Sequence, residues 1–375
     1  MTRLFGGVVP ALAVLLLSGC GGGGDNGGGG GASPADMANK AESGGGASTT
    51  LLGAGATFPY PIYQRWFAEY GKANPVRVNY QSIGSGGGIR QVTEKTVDFG
   101  ASDAPMTEEE LAKAPGMLHV PMVLGAVTVA YNLPGLQQPL RLDGPTLASL
   151  FAGRIKRWND PAIAALNPGV NLPATDVIPV HRTDGSGTTY IFTEYLASVS
   201  PEWRQSPGVG KSVNWPVGLG GKGNEGVTGS VKQTPGAVGY VELAYAREGN
   251  LPTASLRNAD GQFVQPTVEA TAAAAANLGA QLQQHPDFRV SLVNLPGATT
   301  YPVAAWTYLL VPPHMEDCGK ARALAGLVRW SLTQGADYAR TMHYAPLPET
   351  VREPVLQHMG KLTCGPSREA VGAAS

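Results

Sequence analysis

Three short stretches of this sequence carry the residue types that bind an anion. They are Gly53-Ala54-Gly55-Ala56-Thr57-Phe58-Pro59, Gly84-Ser85-Gly86-Gly87-Gly88 and Asp184-Gly185-Ser186-Gly187-Thr188-Thr189. Each sets small and hydroxyl-bearing residues just ahead of a segment with helical spacing. A helix N-terminus leaves backbone N–H groups unpaired and carries partial positive charge. Glycine lets a ligand approach that backbone, and Ser and Thr hydroxyls add donors. Each stretch is therefore a candidate anion site. Taken singly, a plain helix cap explains any of them as well. Three in one chain, together with Arg182 and Asp103, are harder to dismiss.

Other chemistries fit these residues poorly. Gly210-Lys211-Ser212 looks like the end of a P-loop, but Gln205 stands where its first glycine belongs. Phe58 and Ile89 occupy the third glycine positions of a dinucleotide fingerprint. Asp98-Phe99-Gly100 and His181-Arg182-Thr183-Asp184 look superficially like kinase motifs, but the second carries an inserted Thr and the lysine strand is missing. Ser186 follows Asp184-Gly185, so the nucleophile elbow of serine hydrolases is not met. The six histidines (119, 181, 285, 314, 343 and 358) lack metal-ligand spacing and there is no C-x-x-C. No metal or cofactor is expected.

Apolar periodicity supplies the elements that would hold these stretches. Residues 61–73 set Ile62, Tyr63, Trp66, Phe67 and Tyr70 at helical spacing, and 76–80 alternate as a strand. Residues 88–95 read as a helix and 97–102 as a strand. The apolar run 120–131 is long enough to cross between lobes. Residues 188–198 form a helix, 236–243 and 304–311 buried strands, and 318–334 a helix with one apolar face. The Ala-rich 270–276 reads as helix and the Pro/Gly-rich 205–226 as a functional or packed loop; the glycines at 218–226 are left without a role. Such alternation implies an α/β architecture with helices covering the sheets.

Composition bounds the classes. Charged residues are 15% and the net charge is −1. Nucleic-acid binding rests on a basic surface, so it is not expected. With 43% hydrophobic residues, wholesale disorder is excluded. Glycine is abundant, 51 of 375 residues, and 15 of those lie within the first 50. That N-terminus opens with Arg3 and an apolar run from Val8 to Leu17, too short to span a membrane but matching the core of a secretion signal. Leu17-Ser18-Gly19-Cys20 resembles a bacterial lipoprotein signal, which implies removal of 1–19 and an acylated Cys20. An ordinary signal peptide that ends in Cys, or a buried apolar segment, is the alternative. Residues 20–50 then make a lipidated Cys and a Gly-rich tether, with a root-mean-square reach of roughly 30 Å. Cys318 and Cys364 remain, able to pair in an oxidising compartment; two separate buried thiols are the alternative.

At its glycine-rich stretches the chain closely resembles the phosphate-binding protein of the bacterial phosphate ABC transporter, the PstS family. The matching segments are 53–59, 78–92, 96–107, 153–169, 182–196, 215–227 and 235–246. The similarity is strong from about 51 to 250 and looser to about 350. Ser82 and Gly86 stand where close relatives often have Gly and Ser, and the Cys pair is not a general family feature. The resemblance implies a two-lobed periplasmic-binding-protein fold, type II-like, with the ligand in the interlobe cleft. Lobe one would be 51–123 plus 300–375 and lobe two 124–299. It further implies that Thr57, Phe58 (through its N–H) and Ser85 bind phosphate oxygens from lobe one, and Arg182, Ser186, Gly187 and Thr188 from lobe two. Asp103 would accept a hydrogen bond from a proton on phosphate, and Asp184 would orient Arg182. The implied partners are inorganic phosphate, permease subunits and, through Cys20, a membrane on the periplasmic side or at the cell surface.

That shell makes chemical sense. Phosphate at neutral pH still carries a proton, whereas sulfate carries none. An ionised Asp103 can only accept, so it rewards phosphate and repels sulfate. Taken alone, Asp103 also reads as a helix-cap or turn residue. A solute-binding component rather than an enzyme is therefore expected. The alternative is a secreted phosphatase using Ser186 or Ser85 as nucleophile.

Overall fold

A computed structural model of the chain describes residues 48–372, apart from 137, 277, 279–281 and 283. The signal segment, Cys20 and the glycine tract lie outside the described residues. Strands are β1 (Thr49–Gly55), β2 (Val76–Ser82), β3 (Phe99–Ser102), β4 (Leu118–Tyr131), β5 (Arg141–Leu142), β6 (Ile178–Arg182), β7 (Leu219–Gly221), β8 (Ala237–Glu242), β9 (Ser255–Arg257), β10 (Phe263–Val264), β11 (Ala304–Val311), β12 (His314–Met315), β13 (Thr363–Cys364) and β14 (Glu369–Ala370). Eight of them form one sheet in the order β2-β1-β3-β11-β4-β8-β6-β7.

This order contains two parallel groups, β2-β1-β3 and β8-β6-β7, joined through antiparallel β11 and β4. The 14 residues of β4 are all buried. Leu118–Ala126 pair with β11, and Val127–Tyr131 pair with β8. The long apolar run thus serves both halves, which is why it shows no polar alternation.

Helices follow the parallel strands and pack on them through one face. The helix Tyr60–Ala73 buries Ile62, Tyr63, Trp66 and Tyr70, residues three or four apart that line one side. Burying each such large side chain contributes about 1.5–3 kcal/mol. The helix Gly187–Val199 buries Ile191, Phe192, Tyr195 and Leu196, and the Phe192 ring stacks on Tyr240 of β8 at 4.4 Å between centroids.

The helix expected at 88–95 starts three residues earlier, as Ser85–Thr93. Glycine is a poor helix former, but a Cβ on Gly88 would meet the Gly55 Cα at 2.5 Å and the Ala54 carbonyl at 2.6 Å. Close packing of helix backbone on β1 outweighs the propensity cost of about 1 kcal/mol. The segment 205–226 is not all loop; it holds β7 and the start of the helix Gly223–Gln233. Cys318, opening the helix Cys318–Leu332, is joined to Cys364 on β13 by a disulfide with Cα atoms 5.0 Å apart.

Candidate functional site

The three glycine-rich stretches sit at the C-terminal ends of β1, β2 and β6, where each parallel strand gives way to a helix. Ligands of open α/β sheets bind at such strand ends. The β1 and β2 stretches belong to one half of the sheet and the β6 stretch to the other, so their helix N-termini can meet only if the halves face each other.

They do meet. The Gly187 N–H donates to Ser85 Oγ at 3.0 Å, and the Gly86 N–H donates to the Gly185 carbonyl at 2.9 Å. Glycine is required for this approach. A Cβ on Gly187 would lie 2.6 Å from Ser85 Oγ and 2.7 Å from the Asp103 nitrogen. Gly84, at φ 87°, turns the chain out of β2 in a conformation that suits only glycine, and a Cβ there would strike the Asp184 carboxylate. Among the described residues, the backbone N–H groups of Phe58, Ser85 and Thr188 donate to no protein acceptor. All three residues are buried or nearly so.

Arg182, the last residue of β6, is 4% exposed and brings a guanidinium to the same place. Asp184 holds it through two bonds, Nε to Oδ1 at 2.7 Å and Nη2 to Oδ2, while Nη1 reaches Thr188 Oγ1 at 3.4 Å. Burial works to raise the Asp184 carboxyl, but Arg182 and the Gly223 N–H overcome it and hold the group below its ordinary range. Asp184 therefore stays ionised and orients the arginine fork.

Asp103 follows β3 and is 4% exposed. Its Oδ1 accepts the Thr307 hydroxyl at 2.9 Å, and its N–H donates to Ser85 Oγ at 3.3 Å. Burial drives the Asp103 carboxyl up to about 7, against the opposing pulls of Thr307, Arg182 and Ser85. The nearby Glu242 is also buried, which lifts its carboxyl well above the ordinary value. Its Oε2 caps the helix Leu243–Glu248 by accepting the Ala244 N–H at 2.6 Å.

The residues expected from sequence thus gather in one cleft: Thr57, Phe58, Ser85 and Asp103 on one side, Arg182, Asp184, Ser186, Gly187 and Thr188 on the other. Ser186 differs from its neighbours, because its Oγ caps the helix Gly187–Val199 by accepting the Thr189 N–H at 3.0 Å. His181 turns away from the cleft and stacks on Trp215.

Sequence reasoning missed two residues here. Thr307, inside the apolar run of β11, anchors Asp103. Asn224, fully buried, reaches across the cleft to Thr57, with its N–H 3.1 Å and its Nδ2 2.7 Å from Thr57 Oγ1. Asn224 lies in the Gly-rich stretch 218–226 and in the family-matching segment 215–227, but neither singles it out among its neighbours. Among the described residues, no group of three or more His, Cys, Asp or Glu could hold a metal ion, and no helix is long and apolar enough to cross a membrane.

Comparison with known proteins gives the family and the fold. The family model for the PBP superfamily domain matches residues 40–334. The phosphate-binding protein PstS of Pasteurella multocida is 49% identical over 303 residues, spanning 80% of this chain and 87% of that one. The PstS of Xylella fastidiosa (strain Temecula1) is 46% identical over 302 residues, spanning 80% and 82%. Among solved structures, a phosphate-binding protein from Stenotrophomonas maltophilia superposes with a TM-score of 0.65 at 20% identity, covering 82% of this chain and 93% of its own, which speaks to the fold.

Proposed function

The chain belongs to the PstS family of phosphate-binding proteins, and from that premise we propose that it captures inorganic phosphate outside the cytoplasm and passes it to the permease of an ABC transporter. One observation carries the reading: three strand-to-helix turns from both halves of the sheet aim unpaired N–H groups, one oriented Arg and one buried carboxyl into a single cleft. The family is one of solute-binding proteins rather than enzymes, and its ligand calls for no cofactor. The hydrolytic alternative finds no favourable geometry. Ser186 Oγ accepts the Thr189 N–H and Ser85 Oγ accepts the N–H groups of Asp103 and Gly187, so among the described residues neither hydroxyl is paired with a histidine base, and His181, the histidine nearest to Ser186 in sequence, stacks on Trp215.

In this reading the N–H of Phe58 and the hydroxyls of Thr57 and Ser85 hold phosphate oxygens from lobe one (51–123 plus 300–375). Arg182, Gly187 and Thr188 hold them from lobe two (124–299), and Ser186 contributes through its place at the helix start. Asp103 accepts the proton that phosphate retains, and Asp184 keeps Arg182 aimed. The lobes hinge about β4 and the return near residue 300, and Cys20 ties the chain to a membrane by lipid.

Calorimetric titration of a fragment starting near Thr49 tests the reading. It is expected to take up one phosphate per chain and to keep it in excess sulfate. Equal competition by sulfate would sink the Asp103 mechanism. Turnover of a phosphate ester, lost on Ser186→Ala, would establish the enzyme instead.

A further inference from the structure

We propose that Asn224 is a positioning residue that fixes the polarity of the two threonine hydroxyls in the cleft, so that each can only donate. The inference rests on the phosphate-binding reading and adds a residue to it. A hydroxyl has one hydrogen to give and two lone pairs that accept. Thr57 Oγ1 accepts the Asn224 N–H at 3.1 Å and Nδ2 at 2.7 Å, which fills both lone pairs. Thr188 Oγ1 accepts Arg182 Nη1 at 3.4 Å and the same Nδ2 at 3.3 Å. Among the described residues neither hydroxyl donates to a protein group, so each hydrogen is left for whatever enters between the lobes.

The amide cannot be turned the other way. Asn224 Oδ1 accepts the Glu242 N–H at 3.0 Å, and the side chain is fully buried. Reversing it would set an NH2 group against an N–H donor and an oxygen between two threonines. The NH2 group therefore splits its hydrogens between Thr57, which follows β1, and Thr188, which follows β6. The contrast is Ser186, whose Oγ accepts only the Thr189 N–H and keeps a free lone pair. One amide thus makes two hydroxyls from opposite lobes into obligate donors, which suits a ligand oxygen that carries charge and no hydrogen.

The test compares the wild-type chain with Asn224→Ala and Asn224→Asp by phosphate titration at pH 5.5 and pH 8. In Asn224→Ala the hydroxyls regain acceptor capacity, so the site tolerates the extra O–H of monobasic phosphate better than before. Affinity is expected to fall about tenfold or more at pH 8, in keeping with lost hydrogen bonds to a charged group, and by a smaller factor at pH 5.5. Asn224→Asp keeps an oxygen for the Glu242 N–H but puts an acceptor between the threonines. Its loss at pH 8 is expected to exceed that of Asn224→Ala and to shrink as the new carboxyl protonates.

Unchanged affinity in both variants, or an equal loss at the two pH values, overturns the proposal. If Asn224→Ala fails to fold, by circular dichroism and thermal melting, the pH ratio of Asn224→Asp decides alone. Absence of phosphate uptake by the wild-type chain fails the proposed function instead, so the two failures are distinguishable.

Discussion

Asp103→Asn should make the protein more stable, and more so as the pH rises. The carboxyl lies beneath the cleft, 4% exposed, with its ordinary value of 3.8 pushed up to about 7 by burial. Because the folded-state value is raised, the fold favours the neutral acid. That advantage is fully present below 3.8 and is lost as pH rises through 7. At about 1.4 kcal/mol per pH unit, ionising this group inside the fold costs about 4 kcal/mol by pH 8. Asparagine removes the ionisation and keeps an oxygen for the Thr307 hydroxyl. Its NH2 group meets Ser85 Oγ, which already accepts the N–H groups of Asp103 and Gly187, so about 1 kcal/mol is given back.

The net expectation is a gain of about 3 kcal/mol at pH 8 and close to none, or a slight loss, at pH 4. Urea unfolding of the wild-type and variant fragments, in phosphate-free buffer at pH 4, 6 and 8, measures it. The difference between the two unfolding free energies should widen across that range and flatten above pH 8. A difference that stays constant with pH, or one that favours the wild type at pH 8, refutes the reasoning. The sign is diagnostic: a carboxylate held for structure would be stabilising when ionised.

At pH 8, where Asp103 is mostly ionised, the same variant should lose its discrimination, with sulfate displacing phosphate in the titration, because an Asn NH2 can donate where an ionised carboxylate can only accept. Arg182→Ala should weaken phosphate binding at least 100-fold, while Arg154→Ala, whose side chain is 57% exposed beside Glu202, should change it less than threefold in the same assay. Gly187→Ala should cost tenfold or more in affinity with little change in the melting of the rest of the chain, since its Cβ meets Ser85 and the Asp103 backbone. Removing the bridge with Cys318→Ala and Cys364→Ala, which frees a loop of 46 residues, should lower unfolding free energy by up to about 4 kcal/mol, read by urea unfolding against the oxidised wild type.

The sequence disclosed the parts of the site that have local causes. A helix N-terminus is written in a few neighbouring residues, so Ser85 and Ser186–Thr188 were legible from small and hydroxyl side chains ahead of apolar periodicity. The long strand β4 was legible because both of its ends are buried and its run of apolar residues is unbroken. Family resemblance then supplied roles that no local pattern carries, such as Asp184 orienting Arg182. Thr307 and Asn224 stayed hidden for a different reason. Thr307 looks like one β-branched residue in a strand, and only the partner 204 positions away gives it a task. Asn224 looks like a turn residue among glycines, and its task is set by Thr57, 167 positions away. The helix at Ser85 was misplaced because packing of Gly88 on Gly55 is a tertiary fact that propensity cannot register.

The scarcity of charge in this chain is compatible with the binding site we propose. A site that attracted anions by net positive charge would hold sulfate as readily as phosphate. Discrimination of that kind would come from a negative acceptor facing the ligand, and at Asp103 the hydroxyls of Thr307 and Ser85 and the charge of Arg182 oppose the effect of burial. Here the guanidinium of Arg182 is already matched by Asp184, and burial drives Glu242 toward its neutral form, so the remaining donors are backbone N–H groups and polarised hydroxyls. Such dipoles act strongly where water is excluded and need no reorganisation when the ligand arrives. In that reading the raised Asp103 carboxyl is a cost to the fold. The expected pH-dependent penalty and the sulfate rejection we propose would be two readouts of one buried group, so a variant that relieved the first without relaxing the second would separate them and break the argument.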